Sequence, residues 1–257
     1  MKHVNTFKNK IRNRELTIGS WVTIGESSII EILSTAGFEW IGIDLEHTAI
    51  DFLTTKQLIS TAQGLGMSAI VRVGKNDELI IKRVMDSGAD GVIVPMVKNK
   101  SEAEDSVNFV KYPPTGKRGI GLGRANSYGT KFNEYQEWVE KESALIVQIE
   151  HIDSVRNIDE ILNVSGIDGI LIGPYDLSGS MGFPGQFDRE DVKMAIDEVL
   201  KKAKIKNIPF GFHIVNTDPK ETINKIMSGG NFVAYGTDFS FMGDMARSGM
   251  KKIRESL

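Results

Sequence analysis

Eight short, strongly apolar runs recur along the whole chain, and stretches with helical periodicity separate them. Runs such as IVRV, GVIVP, LIVQI and GILIG are almost continuously apolar, which is typical of parallel strands buried on both faces. Eight strands, each followed by a helix, within 257 residues predict a closed (β/α)8 TIM barrel. A doubly wound open sheet is the alternative, because alternation alone does not count strands. The candidate strands are Thr17–Thr23, Trp40–Leu45, Ser68–Val73, Gly91–Pro95, Ala144–Ile149, Gly169–Ile172, Ile208–His213 and Phe232–Tyr235.

Helical segments lie between these strands, and no linker-like stretch divides the chain, so we expect one catalytic domain over residues 1–257. An irregular stretch from Tyr112 to Thr130 predicts a long functional loop after the fourth strand. Predicted helices include Ser27–Ala36, Lys56–Leu65, Asp77–Ser87, Ser101–Val110 and Asp188–Lys202. Glycines placed to end helices as C-caps are Gly37, Gly64, Gly88 and Gly229.

Composition excludes several classes of function. The chain has no cysteine, which excludes disulfides, thiolate metal sites and thiol nucleophiles. Its net charge is only -3, and no block of Lys and Arg stands out as a footprint for nucleic acid or a membrane surface. The sequence has neither a signal-peptide h-region nor an apolar run long enough to span a bilayer. We therefore expect a cytoplasmic protein without a nucleic-acid or membrane partner.

Polar side chains collect at the carboxyl ends of the predicted strands, where barrel enzymes carry their chemistry. Placing polar groups at one end of apolar strands costs free energy unless they bind something. This pattern predicts a small-molecule site. The residues concerned are Asp44, Glu46, His47, Arg72, Gln148, Glu150, Asp176 and His213.

Two of these carboxylates, Glu150 and Asp176, follow neighbouring strands and would face each other across the barrel mouth. A shared cation best relieves their repulsion. With two carboxylates, water and substrate would complete the coordination, which suits Mg²⁺ or Mn²⁺. The alternative is that the acids cap the helices that follow, and Asp176 in GPYDLS suits such an N-cap.

Asp44 and His47 are three residues apart where a strand runs into a loop. A carboxylate that orients an imidazole is the usual arrangement of a general base, and an exposed loop histidine is the alternative. Arg72 interrupts an apolar strand and so needs an anionic partner. A substrate carboxylate or an enolate oxygen would serve, as would a structural ion pair to Asp44 or Glu46; the two interpretations are compatible.

The glycine-rich segment GIGLGRANSYG lacks the third glycine of a dinucleotide fingerprint and any GK[ST] sequence. We interpret it as a flexible loop that delivers Arg124 toward the mouth of the barrel, with an ordinary surface loop as the alternative.

Taken together, the runs IGIDLEH, VRV, VIVPMV, VQIE and IGPYDLSGSMGFPG resemble the HpcH/HpaI aldolase family, the class II pyruvate aldolases, in order and over nearly the whole chain. That family belongs to the phosphoenolpyruvate/pyruvate barrel superfamily. The chain is similar to 2-dehydro-3-deoxyglucarate aldolase and 4-hydroxy-2-oxoheptanedioate aldolase. The resemblance implies a metal-dependent aldolase that interconverts a 4-hydroxy-2-oxo acid with pyruvate and an aldehyde, in a homo-oligomer such as a hexamer or trimer.

The resemblance also implies roles for individual residues. Glu150 and Asp176 match the metal-binding acids, and His47 matches the catalytic base with Asp44 as its partner. Arg72 matches the arginine that holds the keto oxygen and stabilises the enolate. His213 stands where family members often carry an apolar residue near the bound pyruvate. The positions implied to contact substrate are Gln148, the turn formed by Gly173, Pro174 and Tyr175, which would receive the pyruvate carboxylate, and, from the loop, Arg124.

Two other functions stay open at this point. One branch that the chain resembles condenses oxaloacetate with acetyl-CoA to form citrate, and the shared motifs do not separate it from the aldolases. A non-catalytic barrel that binds a keto acid is the third hypothesis. The combined presence of His47, Arg72, Glu150 and Asp176 argues against that third hypothesis. A Schiff-base aldolase would need a lysine at a strand end, and the predicted strand ends have none, so the metal-dependent mechanism is favoured.

Overall fold

The computed structural model describes residues 5–257, which form a closed barrel of eight parallel strands. Each strand hydrogen-bonds to the next along the chain, and β8 returns to pair with β1. This last pairing closes the sheet, so the predicted barrel is confirmed and the doubly wound open sheet is excluded. His3, to which the sequence assigns no role, lies outside the described residues. The strands are β1 Thr17–Val22, β2 Trp40–Asp44, β3 Ser68–Arg72, β4 Gly91–Val94, β5 Ala144–Ile149, β6 Gly169–Ile172, β7 Phe210–Ile214 and β8 Phe232–Thr237.

Helices surround the barrel. Within residues 5–257, no helix is both long and apolar enough to cross a lipid bilayer. The helices are α1 Thr6–Arg12, α2 Ser27–Thr35, α3 Phe52–Gly64, α4 Glu78–Asp86, α5 Lys100–Val110, α6 Phe132–Glu142, α7 Ile152–Arg156, α8 Ile158–Ile161, α9 Pro174–Ser180, α10 Glu190–Ile205, α11 Pro219–Met227 and α12 Asp238–Glu255.

The ends of the strands agree with the sequence prediction to within two residues. One glycine cap was assigned wrongly. Gly64 is the last residue of α3, and the left-handed position after that helix belongs to Gly66, with φ 81°. The other glycines predicted to end helices do have positive φ, at 85°, 100° and 104° for Gly37, Gly88 and Gly229.

Large side chains fill the interior of the barrel where a neighbouring strand carries glycine. A Cβ atom on Gly42 in β2 would lie 2.6 Å from Cε3 of Trp21 in β1. The indole of Trp21 therefore occupies space that any larger residue at position 42 would take. This close approach fixes an aromatic ring near the carboxyl end of β1, beside the polar strand ends.

Helix α1 closes the opposite, amino end of the barrel. Its Phe7 packs edge-on against Trp40 of β2, with ring centroids 5.1 Å apart, and against Phe232 of β8 at 5.6 Å. Since these three rings are fully or almost fully buried, the amino end is plugged, and the carboxyl end is left as the open face.

Candidate functional site

The carboxyl ends of β2 and β3 are joined by a buried ion pair between Asp44 and Arg72. Parallel pairing places Asp44 directly beside Arg72. Nε of Arg72 donates to Oδ1 of Asp44 at 2.9 Å, and Nη2 donates to Oδ2 at 2.8 Å. Burial alone would raise the pKa of Asp44, but the hydrogen bonds and charge of Arg72 outweigh burial and hold that pKa below its usual value. This two-point fork fixes the plane of the guanidinium.

The remaining nitrogen of Arg72 faces a second acid and an aromatic ring. Nη1 lies 3.3 Å from Oε2 of Glu46, and the guanidinium lies over the Trp21 ring at 5.1 Å from its centroid. The pKa of Glu46 is raised to about 7, chiefly by burial; the charge of Arg72 acts to lower it, and the carboxylates of Asp44 and Asp176 act to raise it. One guanidinium thus neutralises two neighbouring acids only in part.

His47 lies at the rim of the site with 62% of its side chain exposed. Its Nε2 is 3.8 Å from Oε2 of Glu46, which is too long for a hydrogen bond. The sequence predicted Asp44 as the partner of this imidazole, but in the structure both oxygens of Asp44 bind Arg72. The carboxylate nearest to His47 is therefore Glu46, and the structural ion pair weighed for Arg72 is present.

Strand β5 delivers Gln148 and Glu150, both buried. The backbone N–H of Met96, after β4, donates to Oε1 of Glu150 at 2.7 Å, and Nε2 of Gln148 donates to Oε2. A Cβ atom on Gly173 would lie 2.7 Å from Oε2 of Glu150 and 2.8 Å from its Cβ. Glycine at position 173 is therefore required for the turn after β6 to pass Glu150 so closely.

Asp176 lies in the first turn of α9 and is exposed, and no side-chain hydrogen bond caps that helix. The pKa of Glu150 is raised to about 7, chiefly by burial and also by the carboxylates of Glu46 and Asp176, while the hydrogen bonds from Met96 and Gln148 act to lower it. Within residues 5–257, no three acids or histidines come together as a ready-made metal cage. A metal ion here would have Glu150 and Asp176 as protein ligands, with water and substrate completing its coordination.

Strand β7 contributes His213, whose imidazole stacks on Trp21 with ring centroids 4.6 Å apart and planes 14° from parallel. Burial and the nearby charge of Arg72 lower the pKa of His213 to about 4. The ring is therefore neutral across the physiological range.

These side chains surround a cleft of about 280 Å³ at the carboxyl end of the barrel. The structure brings eight of the predicted site residues into its wall, while Asp44 and Glu150 support that wall through Arg72 and Gln148. The cleft is lined by Trp21, His47, Arg72, Gln148, Leu171, Ile172, Gly173, Pro174, Tyr175, Asp176, His213 and Val215.

Several buried polar atoms around this cleft have no hydrogen-bond partner among the described residues. Buried polar groups are normally satisfied, and each exception calls for an explanation. These atoms are closed off by the surrounding protein, and one of them, Glu46 Oε2, lies 3.3 Å from Nη1 of Arg72. They are Trp21 Nε1, Glu46 Oε2, Gln148 Oε1 and His213 Nε2.

Arg124 does not reach this cleft, so the expectation that the long loop delivers it to the mouth is wrong for this chain. Nη1 of Arg124 donates to the backbone oxygen of Ser87 at 3.1 Å, and Nη2 donates to Oε1 of Gln63 at 2.9 Å. Both partners lie near the carboxyl ends of helices, at the amino side of the strands that follow. The arginine therefore ties the loop to the plugged end of the barrel, as in the surface-loop alternative.

Sequence reasoning missed two contributions to the site. The indole of Trp21 stacks on the imidazole of His213 and lies under the guanidinium of Arg72. Its position near the end of the first predicted strand could have identified it as a site residue. Met96 has positive φ (55°) directly after β4 and aims its N–H at Glu150. A single sequence gives no signal for such a backbone conformation in a non-glycine residue.

Comparison with known proteins places this site in a family. The sequence model described as HpcH/HpaI aldolase/citrate lyase matches residues 17–243. The chain belongs to that family. It is accordingly an enzyme that acts on carbon–carbon bonds, an aldolase-type lyase, as its motifs implied.

Among curated members of the HpcH/HpaI family, the chain is similar to hydroxypyruvate/pyruvate aldolase from Roseobacter denitrificans, at 34% identity over 95% of each chain. It is also similar to 2-keto-3-deoxy-L-rhamnonate aldolase from Escherichia coli, at 33% identity over 93% of this chain and 90% of the relative.

Solved structures with the same fold include a member of this family and a citrate synthase. A family protein from Burkholderia cenocepacia superposes with a TM-score of 0.92 at 26% identity, covering 97% of this chain and 99% of the other. The citrate synthase SbnG superposes with a TM-score of 0.87, also at 26% identity, covering 97% of both chains.

Proposed function

We propose that the protein is a class II aldolase, dependent on Mg²⁺ or Mn²⁺, that interconverts a 4-hydroxy-2-oxo acid with an aldehyde and a small 2-oxo acid such as pyruvate. The observation that carries this proposal is a single cleft lined by Arg72, which Asp44 holds in orientation, and by Gln148 and Asp176. Pyruvate, hydroxypyruvate and deoxy sugar acids are the substrates named for similar aldolases.

The acids of the site fit a divalent cation of this kind. Carboxylate oxygens are the donors that Mg²⁺ and Mn²⁺ prefer. Glu150 is buried and its pKa is raised to about 7, partly by Glu46 and Asp176, so a nearby cation would relieve an unfavourable negative charge. When bound, the metal would act as a Lewis acid at the carboxylate and keto oxygens of the substrate and stabilise negative charge there.

The side chains of the cleft divide the remaining work. Backbone N–H groups in the first turn of α9, at Tyr175 and Asp176, are free of intrahelical partners and would receive the substrate carboxylate. Arg72 would donate to the keto oxygen at C2 and stabilise the enolate, since its fork with Asp44 keeps the donor in place as charge develops.

His47 would move the proton of the alcohol. In the cleavage direction it takes the proton from the hydroxyl on C4, the C3–C4 bond breaks, and its electron pair passes into the enolate while the aldehyde leaves. Protonation of C3 then yields the 2-oxo acid. The exposure of His47 at the rim places it where an aldehyde would enter and leave.

A citrate-synthase-like condensation of oxaloacetate with acetyl-CoA is the second candidate, favoured by the structural likeness to SbnG. Both reactions use a carbon nucleophile next to a carbonyl, so the same cleft could serve either. The curated aldolases are more similar in sequence to this chain than SbnG is, and we therefore rank the aldolase first.

The test is a pair of carbon–carbon bond assays on one preparation. In the first, pyruvate or hydroxypyruvate is mixed with a panel of aldehydes and Mg²⁺ or Mn²⁺, and aldol products are identified by NMR. In the second, oxaloacetate and acetyl-CoA replace them, and release of the free thiol is measured. Aldol products that vanish with chelator support the proposal. Thiol release alone would establish the citrate-synthase reaction instead. If neither aldol products nor free thiol were formed, the proposal that the protein is an active aldolase would be contradicted.

Assembly into a homo-oligomer and a cytoplasmic location stay predictions. Size-exclusion chromatography with light scattering tests the first, and cell fractionation tests the second.

A further inference from the structure

His213 is a polar side chain of the cleft to which the proposed mechanism gives no task. It belongs to β7, across the barrel from Arg72 in β3, and it lines the same cleft. The neighbouring strands contribute little polarity beside it, because its partner in β8 is Ala234, and on the β6 side Ile172 pairs with Phe212, the residue before it. A polar ring in such surroundings is costly unless it is hydrogen-bonded.

The structure holds this ring firmly but leaves it unsatisfied. Trp21 stacks against one face at 4.6 Å, and Nε2 is enclosed without a hydrogen-bond partner among the described residues. Burial and Arg72 keep the pKa of His213 at about 4, so the ring is neutral and offers both one N–H donor and one nitrogen acceptor. Nε2 itself is closed off by protein, but the ring lines the cleft and its other nitrogen, Nδ1, is not among the enclosed atoms, so a ligand in the cleft can pair with Nδ1.

We propose that His213 selects the carbon nucleophile by hydrogen-bonding a hydroxyl group on C3 of the 2-oxo acid, so that the enzyme prefers hydroxypyruvate to pyruvate. This inference rests on the proposed function, because it assigns one residue to the choice between two donors of that reaction.

The proposed position of the 2-oxo acid in the cleft supports a contact between His213 and C3. The substrate carboxylate is assigned to the turn at Tyr175 and Asp176 after β6, and the keto oxygen to Arg72 on β3. The wall formed by Trp21 and His213, on β1 and β7, is then left to face C3. The polar Nε1 of Trp21 is enclosed, so the indole contributes apolar surface to this wall, and His213 decides whether the wall accepts a hydroxyl or a methyl group.

A hydroxyl on C3 both donates and accepts, and either tautomer of a neutral imidazole can pair with it. The methyl group of pyruvate can do neither and would leave the imidazole nitrogen unpaired. A site built to pair with a substrate hydroxyl discriminates strongly against the analogue that lacks it, because a buried polar group is then left without a partner. We expect a preference of about 10- to 100-fold in kcat/KM for hydroxypyruvate.

The experiment compares the two donors in wild type and three variants, with Mg²⁺ or Mn²⁺ present and one fixed aldehyde. His213→Leu replaces the ring by an apolar side chain. His213→Gln restores a polar amide at this position. Val215→Ala changes the volume of the same cleft without changing its polarity. Donor binding without aldehyde is measured in parallel by calorimetry, so that a variant with slow turnover still reports its preference.

The expected result is a hydroxypyruvate-to-pyruvate ratio that falls at least about tenfold in His213→Leu, recovers in part in His213→Gln, and is unchanged in Val215→Ala. A wild type that prefers pyruvate, or a ratio that His213→Leu leaves unchanged, would overturn this inference while the aldolase function stands. If wild type neither binds nor converts either donor, the proposed function itself fails, and the assignment of His213 fails with it.

Discussion

Arg72 is held by Asp44 in a geometry that a different cation could not reproduce. Two parallel hydrogen bonds of 2.9 and 2.8 Å fix the guanidinium plane, and Nη1 remains beside Glu46. A lysine would supply the same charge on a flexible stem without the fork. The orientation of the donor, more than its charge, is therefore what the ion pair contributes to the site.

We expect Arg72→Lys to lower kcat by about 100-fold or more while the protein stays folded, because a donor aimed at the developing oxyanion is lost. Steady-state kinetics measure the loss, and circular dichroism checks the fold. Arg247→Lys is the matched control, since that arginine pairs with Asp244 on an exposed face of α12. Near-normal turnover in Arg72→Lys would remove Arg72 from its assigned role.

The raised pKa values of two acids in the site predict how the stability of the fold depends on pH. Glu150 and Glu46 both have pKa values raised to about 7 in the folded chain. The folded state therefore keeps protons that the unfolded chain has already lost, so their contribution to stability is present at low pH and is lost as pH rises through about 7. A divalent cation binds the ionised form and should offset this loss.

Thermal unfolding of wild type in chelator, followed from about pH 5 to about pH 8, should show a loss of about 1 to 3 kcal/mol that Mg²⁺ or Mn²⁺ reduces. Glu150→Gln stays neutral and should flatten the pH dependence. A pH profile that is the same in wild type and Glu150→Gln would show that the raised pKa of Glu150 does not affect folding.

The residues of the site were predictable from the sequence, and an ion pair of Arg72 with Asp44 or Glu46 was one of the interpretations, but the sequence did not show that this pairing would replace the one expected between Asp44 and His47. Polar residues at strand ends identified Asp44, Arg72, Gln148 and Glu150 as site residues. The spacing of Asp44 and His47 nevertheless suggested the wrong partnership, because spacing along the chain says nothing about neighbouring strands. The register of β2 on β3 places Asp44 beside Arg72, and register depends on the closed barrel.

Among the elements, the turn from β6 into α9 is the one most tightly constrained by packing. Gly173 passes Glu150 and Gln148 so closely that a Cβ atom would lie 2.7 Å from Oε2 of Glu150 and 3.1 Å from Nε2 of Gln148. Both neighbours are buried, so neither can move away freely. A larger residue at position 173 would therefore displace both the turn and the side chain of Glu150.

Gly173→Ala should therefore lower metal affinity and kcat/KM, each by about tenfold or more, because groups that orient a ligand residue have effects of this size. Gly64→Ala is the matched control. A Cβ atom on Gly64 meets nothing within 4 Å at the end of α3, and we expect a gain of about 0.5 kcal/mol in stability. Mn²⁺ titration and chemical denaturation make the comparison, and equal behaviour of the two variants would contradict the packing argument.

Element boundaries followed from the sequence because each strand is a short apolar run ended by polar or glycine residues. The loop after β4 shows what local pattern cannot supply. Its glycines and Arg124 indicated a functional segment, yet the bonds of Arg124 to Gln63 and Ser87 tie it to the amino end of the barrel. The direction in which a long loop folds depends on tertiary partners that lie far away in sequence.

At the scale of the whole molecule, α12 exposes five large apolar side chains to solvent among its charged ones. The buried residues of this 18-residue helix are Asp238 and Ser240, near its start. Large exposed apolar patches on a soluble domain commonly mark contact surfaces. The exposed large apolar side chains of this helix are Phe239, Met242, Met245, Met250 and Ile253.

We expect purified protein to elute as a homo-oligomer, and Met245→Glu to shift it toward a smaller species, because a charge on the apolar face would be desolvated by association. Light scattering coupled to size-exclusion chromatography measures both masses. Lys251→Glu, a charge change at an exposed position of the same helix, is the control. A monomeric wild type would contradict the prediction.

The central claim is that this barrel forms the enolate of a 2-oxo acid in the cleft lined by Arg72, Gln148 and Asp176. Exchange of the protons on C3 of that acid tests the claim without an aldehyde. The protein is incubated with pyruvate in deuterated water, first with Mg²⁺ or Mn²⁺ and then with excess chelator, and the methyl signal is followed by NMR. The account predicts loss of that signal that requires metal and disappears in Glu150→Ala. An unchanged methyl signal with every metal, or exchange that persists in Glu150→Ala, would contradict it.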